Sequence, residues 1–269
     1  MKYDPVKRSL GSVFNRTPFL RKLFYHLLNL LLLRSWHIRK ELRKVKKGLP
    51  PTLKILDAGS GFGQYDFTMA LQFPHATITA VDVKQEQIDD CNAFFQKIGK
   101  SDRVTFEYAD LTAFDSPEQY DLVLSVDVME HIEDDIGVMT NLAKSMKKGG
   151  ILLISTPSDQ GGSDVHHDHE DSFIEEHVRD GYGIGEIEEK LKKAGFSTIE
   201  TRYSYGKPGK ISWKLSMKWP ILMANKSKVL LILLPVYYLI AYPISFFLNL
   251  ADVNIHHKTG TGLIVKAIK

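Results

Sequence analysis

Three aspartates in the first half of the chain stand where apolar, strand-like segments end. Asp57 ends LKILD, Asp82 ends ATITAVD, and Asp110 ends VTFEYAD. Ligands of open α/β sheets bind beyond the carboxyl ends of the strands, so carboxylates at three such ends can line one site. Asp82 is placed to accept hydrogen bonds from both hydroxyls of a ribose, and Asp110 lies at a height suited to the exocyclic amine of an adenine. Each aspartate alone could cap a helix or lie on the surface, but the three together indicate a nucleoside site.

The turn that follows Asp57 reads AGSGFG and has Gly59, Gly61 and Gly63 at alternate positions. Glycines let the backbone turn tightly into a helix and come close to a ligand. Nicotinamide enzymes use a glycine-rich turn too, and a tight turn with no ligand is a third interpretation. The spacing GxGxG, rather than GxGxxG, favours a ligand other than a dinucleotide.

Strand-like and helix-like segments alternate around these residues at regular spacing. The predicted strands are TLKILDAG, ATITAVDV, RVTFEYAD, YDLVLSVD, ILLISTP, STIETRYSY and GLIVKAIK. The predicted helices are QYDFTMALQF, KQEQIDDCNAFFQKIG, IEDDIGVMTNLAKSMKKGG and GIGEIEEKLKKAGF, and the third of them ends at Gly149 and Gly150. Apolar strands separated by helices predict an α/β fold, a mainly parallel sheet with helices on both faces.

From Leu53 to Phe196, the chain resembles the class I S-adenosylmethionine-dependent methyltransferases. The resemblance rests on an ordered series of motifs: ILDAGSGFG, the acid of AVDV, EYADL, YDLVLSVDVMEHIED and MKKGGILLISTPS. It implies a Rossmann-like, seven-stranded mixed sheet whose last strand is antiparallel and lies between strands five and six.

The resemblance also implies a role for each motif in holding S-adenosylmethionine. Asp57 and the turn Gly59–Gly63 would hold the methionine end. Asp82 with Val83 would bind the ribose, and Asp110 with Leu111 the adenine. The stretch that starts at Ser125 would line the wall beside the sulfonium.

The acceptor of the methyl group is expected to lie near the ends of strands four and five. His131 in MEHIED is predicted to shape the site, with a core histidine as the alternative. The segment 163–171 contains His166, His167 and His169, which are candidates for acceptor binding or proton removal. A solvated loop is the alternative, and a metal site is not predicted because adjacent residues rarely converge on one ion. Arg179 and Tyr182 are predicted to form part of the acceptor wall, with a surface ion pair as the alternative for Arg179.

The composition limits the partners. A net charge of +3 over 269 residues gives no argument for nucleic acid, and the single cysteine, Cys91, excludes a disulfide within the chain. Basic residues are concentrated at 34–47, which suits anionic phosphates or a membrane surface, although a solvated helix face is the alternative.

The apolar segment 19–33 before them lacks a small-residue cleavage site, so a cap or membrane-surface helix is predicted rather than a signal peptide. Residues 1–50 are predicted to form this helical cap.

A long insertion separates the last two predicted strands. It spans 207–258, between methyltransferase segments 51–206 and 259–269, and it contains the uncharged, largely apolar run 229–250. Because strands six and seven belong to one sheet, the insertion must begin and end on the same side of a membrane. Pro235 and Pro243 are expected to divide the run into short helical pieces. We expect a monotopic helical insertion that contacts the membrane through 19–47 and 211–250, on the cytoplasmic face; a hydrophobic lid or a dimer interface is the alternative.

Together these patterns predict methyl transfer to a hydrophobic, membrane-resident small molecule of the quinone, polyene, polyketide or lipid type. A soluble methyltransferase, whose insertion is a lid or dimer interface, is the first rival. A nicotinamide-dependent reductase is the second, but the chain lacks a Tyr-x-x-x-Lys pair at the expected place. A membrane adaptor without catalysis is the third, and the complete set of three aspartates argues against it.

Overall fold

The computed structural model describes residues 17–161, 178–226 and 230–269. Its centre is a sheet of seven strands in the order β3-β2-β1-β4-β5-β7-β6. The strands are β1 Lys54–Ala58, β2 Thr77–Asp82, β3 Val104–Tyr108, β4 Tyr120–Val126, β5 Met146–Pro157, β6 Thr198–Ser204 and β7 Gly262–Ile268.

The last strand runs against its neighbours. Strands β1 to β5 pair in parallel, whereas β7 is antiparallel to both β5 and β6. Ile268 lies opposite Ile151 on one side and Thr198 on the other. The predicted mixed sheet, with its last strand between strands five and six, is confirmed.

Four helices cover the two faces of the sheet. They are α3 Gln64–Gln72, α4 Gln85–Lys97, α5 Asp135–Ser145 and α6 Ile184–Lys193. The prediction that α5 continues to Gly150 is wrong. The helix ends at Ser145, and Met146 already pairs with Tyr120 at the start of a longer β5. This pairing gives the backbone a sheet partner in place of a further helical turn.

Two helices form the N-terminal cap. Helix α1 spans Pro18–Leu31 and helix α2 spans Leu33–Val45, with extended backbone at Leu32 between them. The side-chain oxygen of Thr17 caps α1 by accepting a hydrogen bond from the Leu20 amide. Helix α2 has many buried residues, among them Ile38 and Leu42, which join the core on one face of the sheet. The apolar segment 19–33 is therefore helical, but it bends at its end.

The insertion is a helical hairpin. Its first arm consists of α7 Lys207–Trp213, a π-helical turn Lys214–Lys218 and α8 Trp219–Lys226; its second arm is α9 Leu230–Asn254. Two backbone carbonyls of the π-helical turn, those of Leu215 and Ser216, accept hydrogen bonds from the hydroxyls of Tyr237 and Tyr238, both at 2.7 Å. The two arms are thereby joined at the wider turn.

Helix α9 is continuous through both of its prolines. The prediction that Pro235 and Pro243 divide it into short pieces is wrong, because 25 residues form one helix. Each proline removes one backbone donor. The helix also packs along its length against α7, the π-helical turn and α8, and this tertiary packing holds the segments in line.

Asp252 anchors the base of the hairpin to the rest of the molecule. Its buried carboxylate accepts hydrogen bonds from the Gly209 amide at 2.9 Å and the Tyr205 amide at 3.1 Å. It also lies 2.9 Å from Nε2 of His37 on the cap, and His257 is a further partner. One side chain therefore ties α9 to the cap, to α7 and to the end of β6.

Replacing Asp252 with alanine should leave buried donors of three segments without an acceptor. Breaking a buried charged network costs about 4 kcal/mol, which corresponds to a fall of roughly 10 °C in the unfolding temperature of a protein of this size. Differential scanning calorimetry measures this change. Asp102→Ala, which removes an exposed carboxylate, is the matched control. An Asp252→Ala protein that unfolds at the same temperature as the control would contradict the anchoring role.

Candidate cofactor and acceptor site

The glycine-rich turn has the backbone conformation that its sequence predicts. Gly59, Gly61 and Gly63 have φ of +91°, +54° and +80°, in the left-handed region that favours glycine. A Cβ atom on Gly59 would lie 2.3 Å from a methyl carbon of Val128. No side chain fits there, so the turn and the segment after β4 are in close contact. Space remains open at Gly61, where an added Cβ would meet no atom within 4 Å.

The cap holds this turn from outside. Tyr25 donates its hydroxyl to the carbonyl oxygen of Phe62 at 2.5 Å, and Arg21 donates to the same oxygen at 3.0 Å. Arg21 also pairs with Asp90 on α4 at 2.6 Å. Because both cap residues are buried, these bonds fix the turn between α1 and α4.

Asp82 contacts the turn and remains partly open to solvent. Its carboxylate accepts hydrogen bonds from the Gly61 amide at 2.8 Å and the Lys84 amide at 3.0 Å. The next side chain, Val83, is half-exposed. A carboxylate that is held by two amides at an open edge can accept further hydrogen bonds from a ribose. Ribose binding by Asp82 and Val83 therefore stays a prediction, and the geometry allows it.

Asp110 stands at the expected strand end, but it also caps a short turn. One carboxylate oxygen accepts hydrogen bonds from the amide and hydroxyl of Thr112, at 2.9 and 2.7 Å. These bonds lower the pKa of Asp110. The second oxygen accepts no bond from either group, and Leu111 beside it is buried. An adenine role for Asp110 and Leu111 therefore remains a prediction.

Buried polar atoms without partners lie below the turn. Among the described side chains, one oxygen of Asp57 and the hydroxyls of Ser60 and Ser125 have no hydrogen-bond partner. Buried polar groups normally have partners, so such a concentration indicates a place for a polar ligand. The position fits the methionine end of S-adenosylmethionine, whose ammonium and carboxylate would supply the missing partners for Asp57, Ser60 and Ser125.

Asp66 on α3 was missed as a site residue. It is fully buried beside Asp57, and the signal was a charge that the helical period places among the apolar residues of QYDFTMALQF. Burial, with the charge of Asp82 as a further cause, raises the pKa of Asp57 to about 7. Burial and the charge of Asp57 raise the pKa of Asp66 well above its ordinary value.

Replacing Asp66 with asparagine should stabilise the protein at alkaline pH. The folded protein holds protons on Asp57 and Asp66 at a pH where the unfolded chain has lost them, so stability falls as pH rises from about 4 through 7. Asparagine removes one of these costs, and we expect Asp66→Asn to unfold about 5 °C higher at pH 8, with a smaller gain at pH 5. Thermal unfolding across this pH range, without cofactor, measures the difference. An equal or lower unfolding temperature at pH 8 would contradict it.

A second polar cluster lies where the cap meets the end of β4. Arg34 of α2 forms an ion pair with Asp127, which directly follows β4. Tyr65, Tyr205 and Glu130 surround the same guanidinium and raise its pKa against the effect of burial. A third of the Arg34 side chain is still exposed, as expected for a residue in a cleft. We name Arg34, Tyr65, Asp127, Glu130 and Tyr205 the cleft cluster.

Two members of the cleft cluster have an unusual backbone. Asp127 has φ of +53° and Tyr205 has φ of +54°, a region that side chains other than glycine rarely adopt. Such conformations persist where the surrounding structure requires them, and they concentrate at functional sites. The hydroxyl of Tyr205 accepts a hydrogen bond from the Arg34 amide at 3.0 Å. Cap, sheet and hairpin therefore meet at this cluster.

The residues predicted for acceptor binding lie around a different part of the site. His131 is exposed, at the end of the 3-10 turn Met129–His131, so the alternative of a core histidine is wrong. Tyr182 is fully buried, and its hydroxyl donates to the Met129 carbonyl at 3.0 Å and to Asp135 at 2.7 Å. Its polar end is therefore used inside the protein, and its place in the acceptor wall stays a prediction.

Arg179 pairs with Asp135, the carboxylate that also accepts the Tyr182 hydroxyl. It donates to the carbonyl of Ile132 at 2.6 Å as well, so it holds the segment after the 3-10 turn. His166, His167 and His169 lie outside the described residues. Within the described ranges, no group of histidine, cysteine, aspartate and glutamate could hold a metal ion.

Comparisons with known proteins agree with this arrangement. The model of a family described as a methyltransferase domain matches residues 50–201, more than half of the chain. Phosphoethanolamine N-methyltransferase 1 of Arabidopsis thaliana is 32% identical over 165 residues, which cover 57% of this chain and 30% of that protein. Ubiquinone biosynthesis O-methyltransferase of Rickettsia bellii is 33% identical over 104 residues, which cover 39% of this chain and 42% of that protein. The chain thus matches less than half the length of these relatives.

A solved structure shows the same fold over nearly the whole chain. Phosphoethanolamine N-methyltransferase 2 of Haemonchus contortus, in complex with S-adenosyl-L-methionine, superposes with a TM-score of 0.62 at 19% identity. The superposition covers 97% of this chain and 59% of that protein. Because the family model covers residues 50–201 and the strand order agrees with it, the chain belongs to the class I S-adenosylmethionine-dependent methyltransferases.

Proposed function

We propose that the protein transfers a methyl group from S-adenosylmethionine to a hydrophobic small molecule that is dissolved in a membrane. The observation that carries this proposal is the helical hairpin, whose outer face is apolar and exposed and whose base lies at the cleft cluster. The family supplies the class of reaction, and the hairpin supplies the argument for the kind of acceptor.

The residues of the glycine-rich turn fit the cofactor. Asp57, Ser60 and Ser125 offer polar atoms without partners, and Asp82 holds the turn by the Gly61 amide. When bound, S-adenosylmethionine supplies a methyl group on a sulfonium, which already contains a good leaving group. The protein then has to align the acceptor atom with the methyl group and to exclude water.

The cleft cluster is placed to do this positioning. Its residues come from α2, from the start of α3, and from the ends of β4 and β6, so four segments fix one small volume. Arg34 can orient an acceptor through hydrogen bonds, because a third of its side chain is exposed in the cleft. Burial raises the pKa of Glu130, which also accepts a hydrogen bond from Thr156 at 3.1 Å. A carboxyl with a raised pKa is suited to proton transfer if the acceptor is a hydroxyl.

The hairpin exposes an extended apolar face. On α9 the exposed residues recur at helical spacing, and the most open are Ile232 and Leu239, both at 76%, Ile240 at 70% and Phe247 at 68%. Trp219 and Leu222 of α8 are exposed as well, and so are four side chains of α1: Phe19, Leu23, Leu27 and Leu30. Exposed apolar patches of this kind mark interaction sites. Within the described residues, Ile232–Asn254 is the one segment long and apolar enough to cross a membrane, which by itself is weak support.

The sheet topology favours insertion into one leaflet over a crossing. The hairpin leaves the sheet at Ser204 and returns at Gly262, and these two residues lie opposite each other in the β6–β7 pair. A single crossing is therefore incompatible with the sheet. A double crossing would carry the lysines of the first arm into lipid, and Lys210 and Lys214 are exposed there. We propose that the apolar face lies in the cytoplasmic leaflet and the lysines at its surface.

A continuous series of contacts joins the hairpin to the cleft. Asp252 of α9 accepts a hydrogen bond from the Tyr205 amide, the Tyr205 hydroxyl contacts Arg34, and Arg34 pairs with Asp127 beside the glycine-rich turn. An acceptor that enters along the base of the hairpin would meet these residues first. The names of the relatives, which include enzymes of phosphoethanolamine and ubiquinone methylation, are compatible with small-molecule acceptors of this kind.

Mass spectrometry of lipids that copurify with the protein tests the proposal. The protein should be purified from membranes in mild detergent, with an Arg34→Gln variant treated in parallel. We expect a hydrophobic small molecule that accompanies the wild type and is depleted in the variant. Recovery of the wild type in the supernatant without detergent, as a dimer and free of lipid, would favour a soluble methyltransferase whose hairpin is an interface.

A further inference from the structure

A cavity lies between the cap and the hairpin, away from the glycine-rich turn. It has a volume of about 210 Å³, and its lining residues are Leu30, Trp36, Arg39, Arg43 and Phe246. We name it the cap–hairpin pocket. Residues 36, 39 and 43 lie on one face of α2, at the spacing of neighbouring helical turns. The pocket is therefore built from one side of α2, the end of α1 and one ring of α9.

The basic residues around this pocket differ in their acceptors. In the segment 34–47, Arg34 and Lys44 pair with the carboxylates of Asp127 and Glu41. Lys40 and Lys46 donate to the backbone carbonyls of Val253 and Gln72. Among the described residues, no carboxylate pairs with Arg39 or Arg43. The Arg43 Nε instead donates to the backbone carbonyl of Arg39 at 3.1 Å.

The two guanidinium groups are close enough to repel each other. Burial lowers the pKa of Arg39, and the positive charge of Arg43 lowers it further. Like charges without an acid between them leave an electrostatic cost that a bound anion would remove. Guanidinium groups match the geometry of phosphate oxygens, so a phosphate is the anion that two adjacent arginines bind best.

The remaining walls of the pocket are apolar. The rings of Trp36 and Phe246 meet edge to face with centroids 5.2 Å apart, and the Trp36 indole donates to the Leu30 carbonyl at 2.9 Å. Leu30 ends the exposed apolar face of α1, and Phe246 lies beside the exposed Phe247 on α9. The pocket thus opens between the two surfaces that we propose to lie in the membrane. A free phosphate would leave the apolar part of the pocket unused, whereas a lipid occupies both parts.

We propose that the cap–hairpin pocket binds one anionic phospholipid, with its phosphate between Arg39 and Arg43 and its first methylene groups against Trp36 and Phe246. This inference rests on the proposed membrane association, and it adds that the protein selects anionic lipid by a defined site. Tryptophan at headgroup depth and arginines that face phosphates are the arrangement expected at a membrane interface.

Vesicle flotation with the full-length protein tests this site. The probes are phosphatidylcholine vesicles and vesicles that contain phosphatidylglycerol in addition. We expect wild type to prefer the anionic vesicles and the double variant Arg39→Gln, Arg43→Gln to lose about 30-fold in affinity for them. Its affinity for phosphatidylcholine should be unchanged, because the apolar face remains.

A charge-matched control separates the pocket from general electrostatics. Lys97→Gln with Lys100→Gln removes the same net charge outside the pocket and should lose less than about threefold, since distant surface charges are screened. Equal losses in both double variants would overturn the site. Equal binding of wild type to both kinds of vesicle would overturn it too, while membrane association would stand. Binding to neither kind would overturn both proposals.

Discussion

Replacing Asp82 with alanine should weaken the binding of S-adenosylmethionine about 100-fold. Two hydrogen bonds from ribose hydroxyls to a carboxylate contribute roughly 1.5 kcal/mol each, and every 1.4 kcal/mol is a factor of ten in affinity. The variant also loses the acceptor for the Gly61 amide, which Asp82 holds at 2.8 Å. Isothermal titration calorimetry measures the affinity directly.

The control for this prediction is an exposed carboxylate that does not contact the glycine-rich turn. Asp89 is exposed on α4 and bonds to Gln85, so Asp89→Ala should bind the cofactor as wild type does. Asp82→Asn keeps the size of the side chain and one acceptor oxygen, and it should fall between the two. Unchanged affinity in Asp82→Ala would refute the ribose role.

Placing charges on the outer face of the hairpin should release the protein from membranes. In the double variant Leu239→Glu, Phe247→Glu, two of the most exposed apolar side chains become anionic. Burying such a side chain gains at least about 1.5 kcal/mol, so the partition into vesicles should fall at least 100-fold. Flotation with phosphatidylcholine vesicles measures the partition without a contribution from anionic lipid.

Folding and cofactor binding should survive in this variant, because both side chains point away from the core. Leu71→Glu with Ala93→Glu adds the same two charges to exposed positions on α3 and α4, and its partition should stay near that of wild type. A double hairpin variant that floats as well as this control would show that α9 does not contact lipid. Loss of a dimer in the hairpin variant, with no wild-type flotation, would instead indicate a protein interface.

The sheet was predictable from sequence because its signals are local and repeated. Each strand is an apolar run that ends at a turn residue, and the motifs around Asp57, Asp82 and Asp110 occur in the order of the strands. The antiparallel last strand was implied by the resemblance. The end of α5 at Ser145 was not predictable, because the pairing of Met146 with Tyr120 depends on a neighbouring strand rather than on the glycines that follow.

The acceptor side was predicted less well, because its residues meet through tertiary packing. Arg34 belongs to a basic segment of the sequence, and only the fold brings it to Asp127, far along the chain. Tyr205 is the last residue of a predicted strand. Asp252 had a readable signal, since a single acid ends an otherwise apolar helix. The prolines of that helix misled the prediction, since they report on isolated helices rather than on one packed against another.

The transfer of label from methyl-labelled S-adenosylmethionine shows whether the acceptor is dissolved in the membrane. The protein should be incubated with either the membrane lipids or the water-soluble metabolites of its native cells, and the label followed through extraction into organic solvent. We expect labelled product in the organic phase from the lipid fraction alone, and its loss with Asp82→Ala. Label that appears only in water-soluble product would contradict a membrane-dissolved acceptor.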